Sequence, residues 1–599
     1  MEIQGSRRLT GPNRWTDGPA ACVQVQLDAE DKTIGASQML ESWHQHIKLA
    51  AQKLGWGKVE TFQASEEHSI MLAFYGPLDG LYTACELAEW AVKVVHANRE
   101  MLRTNGSIAA DFPEDAASTY QKMYDEERNP HLLAFQKQAE EHQVPMLWDD
   151  DHVSLGFGRH AQVWPAQDIP APKALQALPW GEYQRIPCAF ITGTNGKTTT
   201  SRLLTRIAVK AQKSVGSTST DGLCINEEIV DKGDWTGPGG ARQILRDQRI
   251  DLAVLETARG GMLRRGLATD LADAAVVTNV SDDHLGEWGI HTVEQMAEVK
   301  LLIRHGIRPG GTLFLYADCP ELVSAFGTLY QNALQARPEE PFPYKVAWYT
   351  LSNAPEKIQE ALPFGKVVAW QAAGLLHFHP GLLSQLPEKS DKNISVKALP
   401  VTLNGLASYN IANAMAAGLL ALSMGLSFSA IREGLMSFQP STKDSPGRTN
   451  LFHKDGLKIL IDFGHNPDGV KAIAHMASEL QPKRTLVLLG QAGDRIDEAI
   501  AGLATSSLLC KPEQIVLKKM TPYLRGRAEG EVVRILEQTF LDAGVPASQI
   551  VSLESEAEAI TWSLSWGCPG DLLLLFVQAD FPAAVQQVEA FGATEGWPR

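Results

Sequence analysis

The stretch Ala189-Phe-Ile-Thr-Gly-Thr-Asn-Gly-Lys-Thr-Thr-Thr-Ser201 carries glycines, a lysine and hydroxyls at a spacing that suits one chemistry, the cradling of phosphate. Gly193 and Gly196 free the backbone to turn tightly around Thr194 and Asn195, so backbone N–H groups and the helix N-terminus can point at an anion. Lys197 adds a mobile positive charge, the Thr198 hydroxyl can hold Mg²⁺, and Thr199 belongs to the same loop. The glycine that a longer G-x-x-x-x-G-K-T loop would need falls at Ile191, so the loop is the shorter G-x-x-G-K-T. A plain glycine turn with a surface lysine is the alternative. The apolar strand before the loop and the helical spacing after it argue for the phosphate cradle.

Two further polar clusters follow apolar runs. Glu256-Thr-Ala-Arg-Gly-Gly-Met262 comes after Asp251–Leu255, and Thr278-Asn-Val-Ser-Asp-Asp-His284 lies at the end of Ala274–Val280. A carboxylate such as Glu256 and an imidazole such as His284 are natural metal ligands beside a triphosphate, although either alone is more often a capping or packing group. Polar clusters at the ends of several strands are where ligands gather in open parallel sheets.

The elements that must position these residues divide the chain. Residues 1–168 read as a small α+β unit: strands at 21–27, 69–75 and 153–157, helices at 38–54 and 78–95, and a charged helical stretch at 120–142. The acidic run Asp149–Asp151 reads as a solvated turn rather than a metal site. Prolines 165, 170, 172 and 179 mark a linker, placed at 169–185. From 186 to 443, strands at 188–191, 251–255, 274–280 and 312–315 alternate with helices, which implies an α/β domain with a mostly parallel sheet. The turn-rich STKDSPGR at 441–448 precedes a second doubly wound, Rossmann-like domain over 444–599. Its strands fall at 458–463, 485–489, 514–517 and 572–577, and its helices at 467–480, 529–540 and 582–591.

Composition bounds the partners. The 599 residues hold 70 acidic against 54 basic side chains, a net charge of −16, which argues against nucleic acid as a general partner. Seven cysteines without a C-x-x-C pair fit a reducing compartment. The N-terminus lacks the apolar core of a signal peptide, and the apolar run Leu572–Val577 is far too short to span a bilayer, so a cytoplasmic protein with no membrane partner is expected.

Together these motifs resemble the Mur ligase family of ATP-dependent amide-forming enzymes. Its signatures are matched by GTNGKTT at 193–199, Glu256 and TNVSDDHL at 278–285. Further matches are Asn410-Ile-Ala-Asn413, Pro446-Gly-Arg448, Asp462-Phe-Gly-His-Asn-Pro-Asp468 and Gly490-Gln-Ala-Gly-Asp-Arg495. Within that family, STSTDGLCIN, KGDWTGPGGAR, LETARGGMLRRGL and YLRGRAEGE are similar to the Mur-ligase half of cyanophycin synthetases. GPNRW at 11–15 and SLGFGRHAQ at 154–162 resemble their N-terminal domain. The ATP-grasp domain between those two parts is missing here, which puts synthesis of cyanophycin by this chain alone in doubt.

The resemblance implies an acyl-phosphate ligase that joins an amino acid or other amine to a carboxylate acceptor such as a small acid or acidic peptide. It implies ATP and Mg²⁺, with Lys197 on the β- and γ-phosphates and Thr198, Glu256 and His284 on the metal. Asn410, Asn413, Arg448 and Asp462 would hold adenine and ribose. Lys300 is either a surface helix lysine or the carbamylated lysine that binds a second Mg²⁺ in many family members. Thr236 and Pro238 would orient the acceptor, and His465, Arg525 and Arg527 would face the incoming amino acid, the alternative for the two arginines being a solvated surface. A homo-oligomer is expected, with a separate ATP-grasp ligase as a further possible partner. The competing reading is a catalytically silent scaffold for such a ligase.

Overall fold

A computed structural model of the chain describes residues 1–28, 36–65, 69–105, 108–283, 285–286, 288–379 and 392–596. They form two compact units of three chain segments each. The first takes 1–192, 213–275 and 299–313, the second 193–212, 276–298 and 314–599, so the chain passes from one to the other five times. All seven cysteines are free thiols. Among the described residues no helix is long and apolar enough to cross a membrane.

The first unit opens with an antiparallel sheet in the order β1-β2-β4-β3, from β1 (Glu2–Leu9), β2 (Ala20–Gln26), β3 (Thr61–Ser65) and β4 (Ser69–Tyr75). The helices Ala36–Lys53 and Leu81–Ala97 share its core. In the second of them Ala84, Leu87, Ala88, Ala91 and Val95 recur every three or four residues and so line one buried face. Trp43 is fully buried there and donates its indole N–H to the Ala88 carbonyl at 3.1 Å. The charged stretch expected as one helix is two, Glu114–Glu127 and Pro130–Glu141. Pro130 cannot continue a helix but suits the first turn of a new one, which the Asn129 side chain caps through Leu132 N–H.

A three-stranded hairpin sheet follows: β5 (Met146–Trp148), β6 (His152–Leu155) and β7 (Gln162–Pro165). The proline-rich segment buries Ile169, Leu175 and Tyr183 in one cluster with Leu132, Phe135, Val153 and Leu155. The acidic run before β6 is not simply solvated. Asp150 takes a bidentate pair from Arg8 at 2.8 Å, and Asp149 pairs with Arg246.

The strands β8 (Cys188–Thr192), β9 (Val215–Thr218), β10 (Gly222–Ile225), β11 (Glu228–Lys232) and β12 (Leu252–Glu256) run in the order β11-β10-β9-β12-β8. β12 is parallel to both of its neighbours and pairs Glu256 with Ile191. Every residue of β8 and β12 is buried, which explains apolar runs without alternation. Two strands, β13 (Ala272–Val277) and β14 (Ile307–Tyr316), begin in this unit and end in the other.

The second unit contains β15 (Lys345–Thr350), β16 (Lys366–Ala372), β17 (Leu375–Phe378) and β18 (Lys392–Ser395), paired in that order. It also holds a seven-stranded sheet ordered β23-β22-β21-β24-β20-β19-β25. These are β19 (Asn450–Lys454), β20 (Leu457–Asp462), β21 (Thr485–Leu489), β22 (Gln514–Lys518), β23 (Ile550–Leu553), β24 (Leu572–Phe576) and β25 (Thr594–Glu595). From β23 to β20 the pairing is parallel, and helices such as Pro467–Glu479 and Glu531–Asp542 lie between the strands in sequence. At the ends of β22 and β24 the buried Lys518 ammonium meets the Glu556 carboxylate and donates to the Phe576 carbonyl at 2.6 Å. Glu556 also accepts the backbone N–H groups of Gln578, Ala579 and Asp580. The fold is thus α/β with large, mostly parallel sheets.

Candidate functional site

The phosphate-loop residues lie in the second unit. After Thr192 the chain turns through Gly193, with φ of +147°, and Gly196, with φ of +85°, into the helix Lys197–Lys210. Both glycines are required by close approach as well. A Cβ on Gly193 would lie 1.9 Å from Thr278 Oγ1, and one on Gly196 would lie 2.2 Å from Asn413 Oδ1. The loop is held from outside. Thr194 N–H donates to the Asn279 carbonyl at 3.0 Å and Asn195 N–H to Asn279 Oδ1 at 2.9 Å, while Thr278 and Asn279 side chains donate to the Asn195 carbonyl at 2.6 and 2.9 Å. Lys197 is half-buried, and its ammonium donates to the Gly193 and Thr194 carbonyls at 3.0 and 2.9 Å.

Asn413 accepts from the Thr200 hydroxyl at 3.4 Å and donates to Asn410 Oδ1 at 3.2 Å, so the N-x-x-N pair sits against the helix that leaves the loop. The same helix carries Arg206, paired with Asp444 at 2.8 Å just before the Pro446-Gly-Arg448 turn. In that turn Thr449 has φ of +54°, a conformation that costs a β-branched residue on the order of 1–3 kcal/mol. Asp462 Oδ2 holds it there, accepting Thr449 N–H at 2.7 Å and its hydroxyl at 3.2 Å. Burial pushes the Asp462 carboxyl above its ordinary range, against the opposing pull of Arg448 and these donors. Arg448 lies over the Phe463 ring, 4.8 Å from its centroid.

Asn466 caps the helix Pro467–Glu479 through Gly469 N–H at 2.8 Å and exchanges two amide hydrogen bonds with Asn195, at 3.0 and 3.2 Å. Beside it is a narrow cleft lined by Asp282, Asp283, His465, Asn466, Gln491 and Arg495. Asp283 has His465 and Arg495 each at 3.8 Å. Burial, Asp283 and Asp468 together raise the Asp282 carboxyl. Arg525 pairs with Asp494, whereas Arg527 is bound up in structure, with Asp497 and Glu531 both at 2.6 Å.

The first unit holds Glu256, Thr236 and Lys300. Glu256 is 1% exposed at the end of β12, where its carbonyl accepts from the Thr218 hydroxyl at 3.2 Å. Thr236 is buried and donates its N–H and hydroxyl to Asp234. Lys300 ends the helix Val293–Lys300 at 5% exposure, so the surface alternative fails. His284 lies outside the described residues. The structure therefore gathers the loop, Asn410, Asn413, Arg448, Asp462 and His465 in one unit. Sequence reasoning missed Asn279, Thr449, Gln491 and the Asn195–Asn466 pair. Asn279 and Gln491 lie within the TNVSDDHL and Gly490–Arg495 matches without being singled out, and Asn466 carried a local signal, since an Asn just before a helix-starting Pro467 is a capping pattern.

Residues 191–336 match the Mur ligase middle domain, and residues 447–577 match the Mur ligase, glutamate ligase domain. A cyanophycin synthetase of Geminocystis herdmanii is 35% identical over 74% of this chain and 48% of its own length. The UDP-N-acetylmuramoyl-L-alanyl-D-glutamate–2,6-diaminopimelate ligase of Geobacillus thermodenitrificans is 23% identical over 65% of this chain and 73% of its own. A solved structure of E. coli FolC in complex with DHPP and ADP covers 68% of this chain and 88% of its own, at 18% identity and a TM-score of 0.47. The chain spans about half the length of the cyanophycin synthetase it matches. Residues 191–336 and 447–577 thus carry the middle and glutamate ligase domains of the Mur ligase family.

Proposed function

We propose that the chain is an ATP-dependent, ADP-forming ligase that activates a carboxylate as its acyl phosphate and joins it to an amine. The observation that carries this reading is the loop around Gly193 and Gly196, packed so closely on Thr278 and Asn413 that neither position has room for a Cβ. The Thr194 and Asn195 amides are taken by Asn279, so the start of the helix Lys197–Lys210 and the Lys197 ammonium present positive charge to the β- and γ-phosphates of ATP, and Asn410, Asn413, Arg448 and Asp462 hold adenine and ribose. The acceptor carboxylate attacks the γ-phosphorus and ADP leaves. The amine then attacks the acyl carbon, and phosphate departs from the tetrahedral intermediate.

Positioning and charge neutralisation supply most of the rate in such transfers. Thr198, Glu256 and His284 would hold Mg²⁺, which neutralises phosphate charge when bound. Hydroxyl and carboxylate oxygens are suitable donors for it, and a carboxylate as buried as Glu256 favours a cationic partner. His465, Arg525 and Asp283 face the incoming amine side, and Thr236 orients the acceptor.

The deciding experiment measures phosphate release by the purified protein with ATP and Mg²⁺ against a panel of amino acids and acidic peptides. Release that requires one amine and one carboxylate, with a matching amide in the mass spectrum, is the expected result. Release independent of both, or none, would sink the reading. The chain carries one phosphate loop, so a mixture of free aspartate, arginine and ATP should yield no polymer unless an acidic peptide is added; polymer in its absence would contradict a single site.

Lys300 is proposed to be carbamylated. Lys300→Ala should then lose activity and regain part of it in a short-chain carboxylic acid that replaces the carbamate. Full activity in the untreated variant would refute the role.

A further inference from the structure

The N-terminal GPNRW motif has no part in the ligase reading, yet it is one of the most tightly built turns in the chain. Asn13 is buried. Its side-chain amide donates to the Gly11 carbonyl, the Thr16 hydroxyl and the Gly18 carbonyl at 2.9–3.0 Å, and its oxygen accepts the N–H groups of Trp15 and Thr16. A turn so fully satisfied is rigid before anything docks on it.

What docks on it are the helices Pro238–Leu245 and Arg259–Arg265, all within the first unit. Arg242 of the first helix is 5% exposed and donates to the Thr10 carbonyl at 3.1 Å and the Thr10 hydroxyl at 2.9 Å. Burial lowers this guanidinium to about 10 from its ordinary value, so Thr10 serves a group that is expensive to leave without acceptors. At the end of the second helix, Thr10 N–H donates to the Arg265 carbonyl at 2.9 Å and Leu267 N–H to the Pro12 carbonyl at 2.7 Å. The two backbones touch. A Cβ on Gly11 would lie 2.0 Å from the Leu267 carbonyl oxygen, and one on Gly266 would lie 2.7 Å from that of Pro12.

The far ends of these helices lead into the acceptor side. Ala258, two residues after Glu256, donates its N–H to the Thr236 carbonyl at 3.0 Å. A Cβ on Gly261 would lie 2.9 Å from Gly237 Cα. One end of the helix pair therefore carries Thr236 and follows Glu256, and the other end is gripped by residues 10–12.

We propose that Thr10 and Gly11 are positioning residues for the acceptor side of the ligase site: through Arg242, Arg265 and Leu267 they fix the helix pair that carries Thr236 and follows Glu256. The N-terminal unit would then be a structural part of the acceptor wall. This rests on the ligase reading above.

The test uses the full chain with Gly11→Ala, which forces the two backbones apart, and, should that variant fail to fold, Thr10→Val, which removes only the hydroxyl that accepts from Arg242 and donates to the Arg265 carbonyl. Hydrogen exchange over 236–245 and 259–268 should rise by about ten-fold while exchange in 447–577 stays unchanged. With the acceptor found in the panel, kcat/KM for that acceptor should fall by roughly 10²-fold, and the Kd of a fluorescent ATP analogue should stay within about two-fold. Unchanged exchange in those helices would overturn the clamp. Raised exchange with unaltered acceptor kcat/KM, or a parallel loss of ATP affinity, would overturn its positioning role. If the parent protein turns over no acceptor, the ligase reading falls with it, and exchange still decides whether the turn grips the helices.

Discussion

Lys197→Ala lowers ATP-dependent amide formation by about 10²–10³-fold, the range seen when one preorganised donor to a developing charge is lost. The fold should survive the change. Lys197 is half-buried and its ammonium touches two carbonyls of its own loop, whereas the loop is tied down by Asn279, Thr278 and Asn466. Those two carbonyl contacts also say how the lysine works. The ammonium spans the turn on two neutral carbonyls, and a phosphate oxygen would offer it a stronger, charge-assisted contact. Circular dichroism should therefore match the parent protein while steady-state phosphate release collapses. Turnover within about three-fold of the parent, against the 10² or more expected, would remove the loop from the mechanism.

Glu556→Ala is the largest expected change in stability. It strands the fully buried Lys518 ammonium and leaves the N–H groups of Gln578, Ala579 and Asp580 without their acceptor. Removing one member of a buried ion pair costs about 3–5 kcal/mol, which for a domain of this size lowers its Tm by roughly 10 °C. The loss should extend to the site, because the Gln578 side chain donates to the Gly464 carbonyl at 2.8 Å, between Asp462 and His465. Lys518→Met combined with Glu556→Gln should recover much of the Tm, since no charge is then buried alone. The pair also gives a pH signature. Burial lowers Lys518 to about 8, from an ordinary 10.5. The unfolded chain therefore binds more protons between those values, and this group favours the folded state increasingly as pH rises from 8 to 10.5. A calorimetric Tm for Glu556→Ala equal to that of the parent would show that the pair contributes nothing.

The strands of the central and C-terminal regions were legible because burial on both faces leaves unbroken apolar runs, as at β8, β12 and β24. The phosphate loop was legible because glycines, lysine and threonine stand in one short stretch. What could not be read is whatever depends on pairing distant segments. β9, β10 and β11 are short, β11 is exposed throughout, and β1 has too little apolar alternation to stand out. Thr449 gave no warning, because a β-branched residue at positive φ is forced by Asp462, thirteen positions on. The Asn195–Asn466 amide pair joins residues 271 apart, and no local pattern reports such a contact.

The five passages of the chain between its two compact units bear on how such a protein can be inherited. A single crossover inside residues 193–313 leaves both units part native and part foreign, with new seams through both interiors, whereas one before 193 divides only the first and one after 313 only the second. Exchanging one unit whole takes five breakpoints at once. Substitutions in the segments 193–212, 213–275, 276–298 and 299–313 are therefore selected against packing partners that lie elsewhere in the gene. This stretch should descend as a block, and variation imported by recombination should fall outside it.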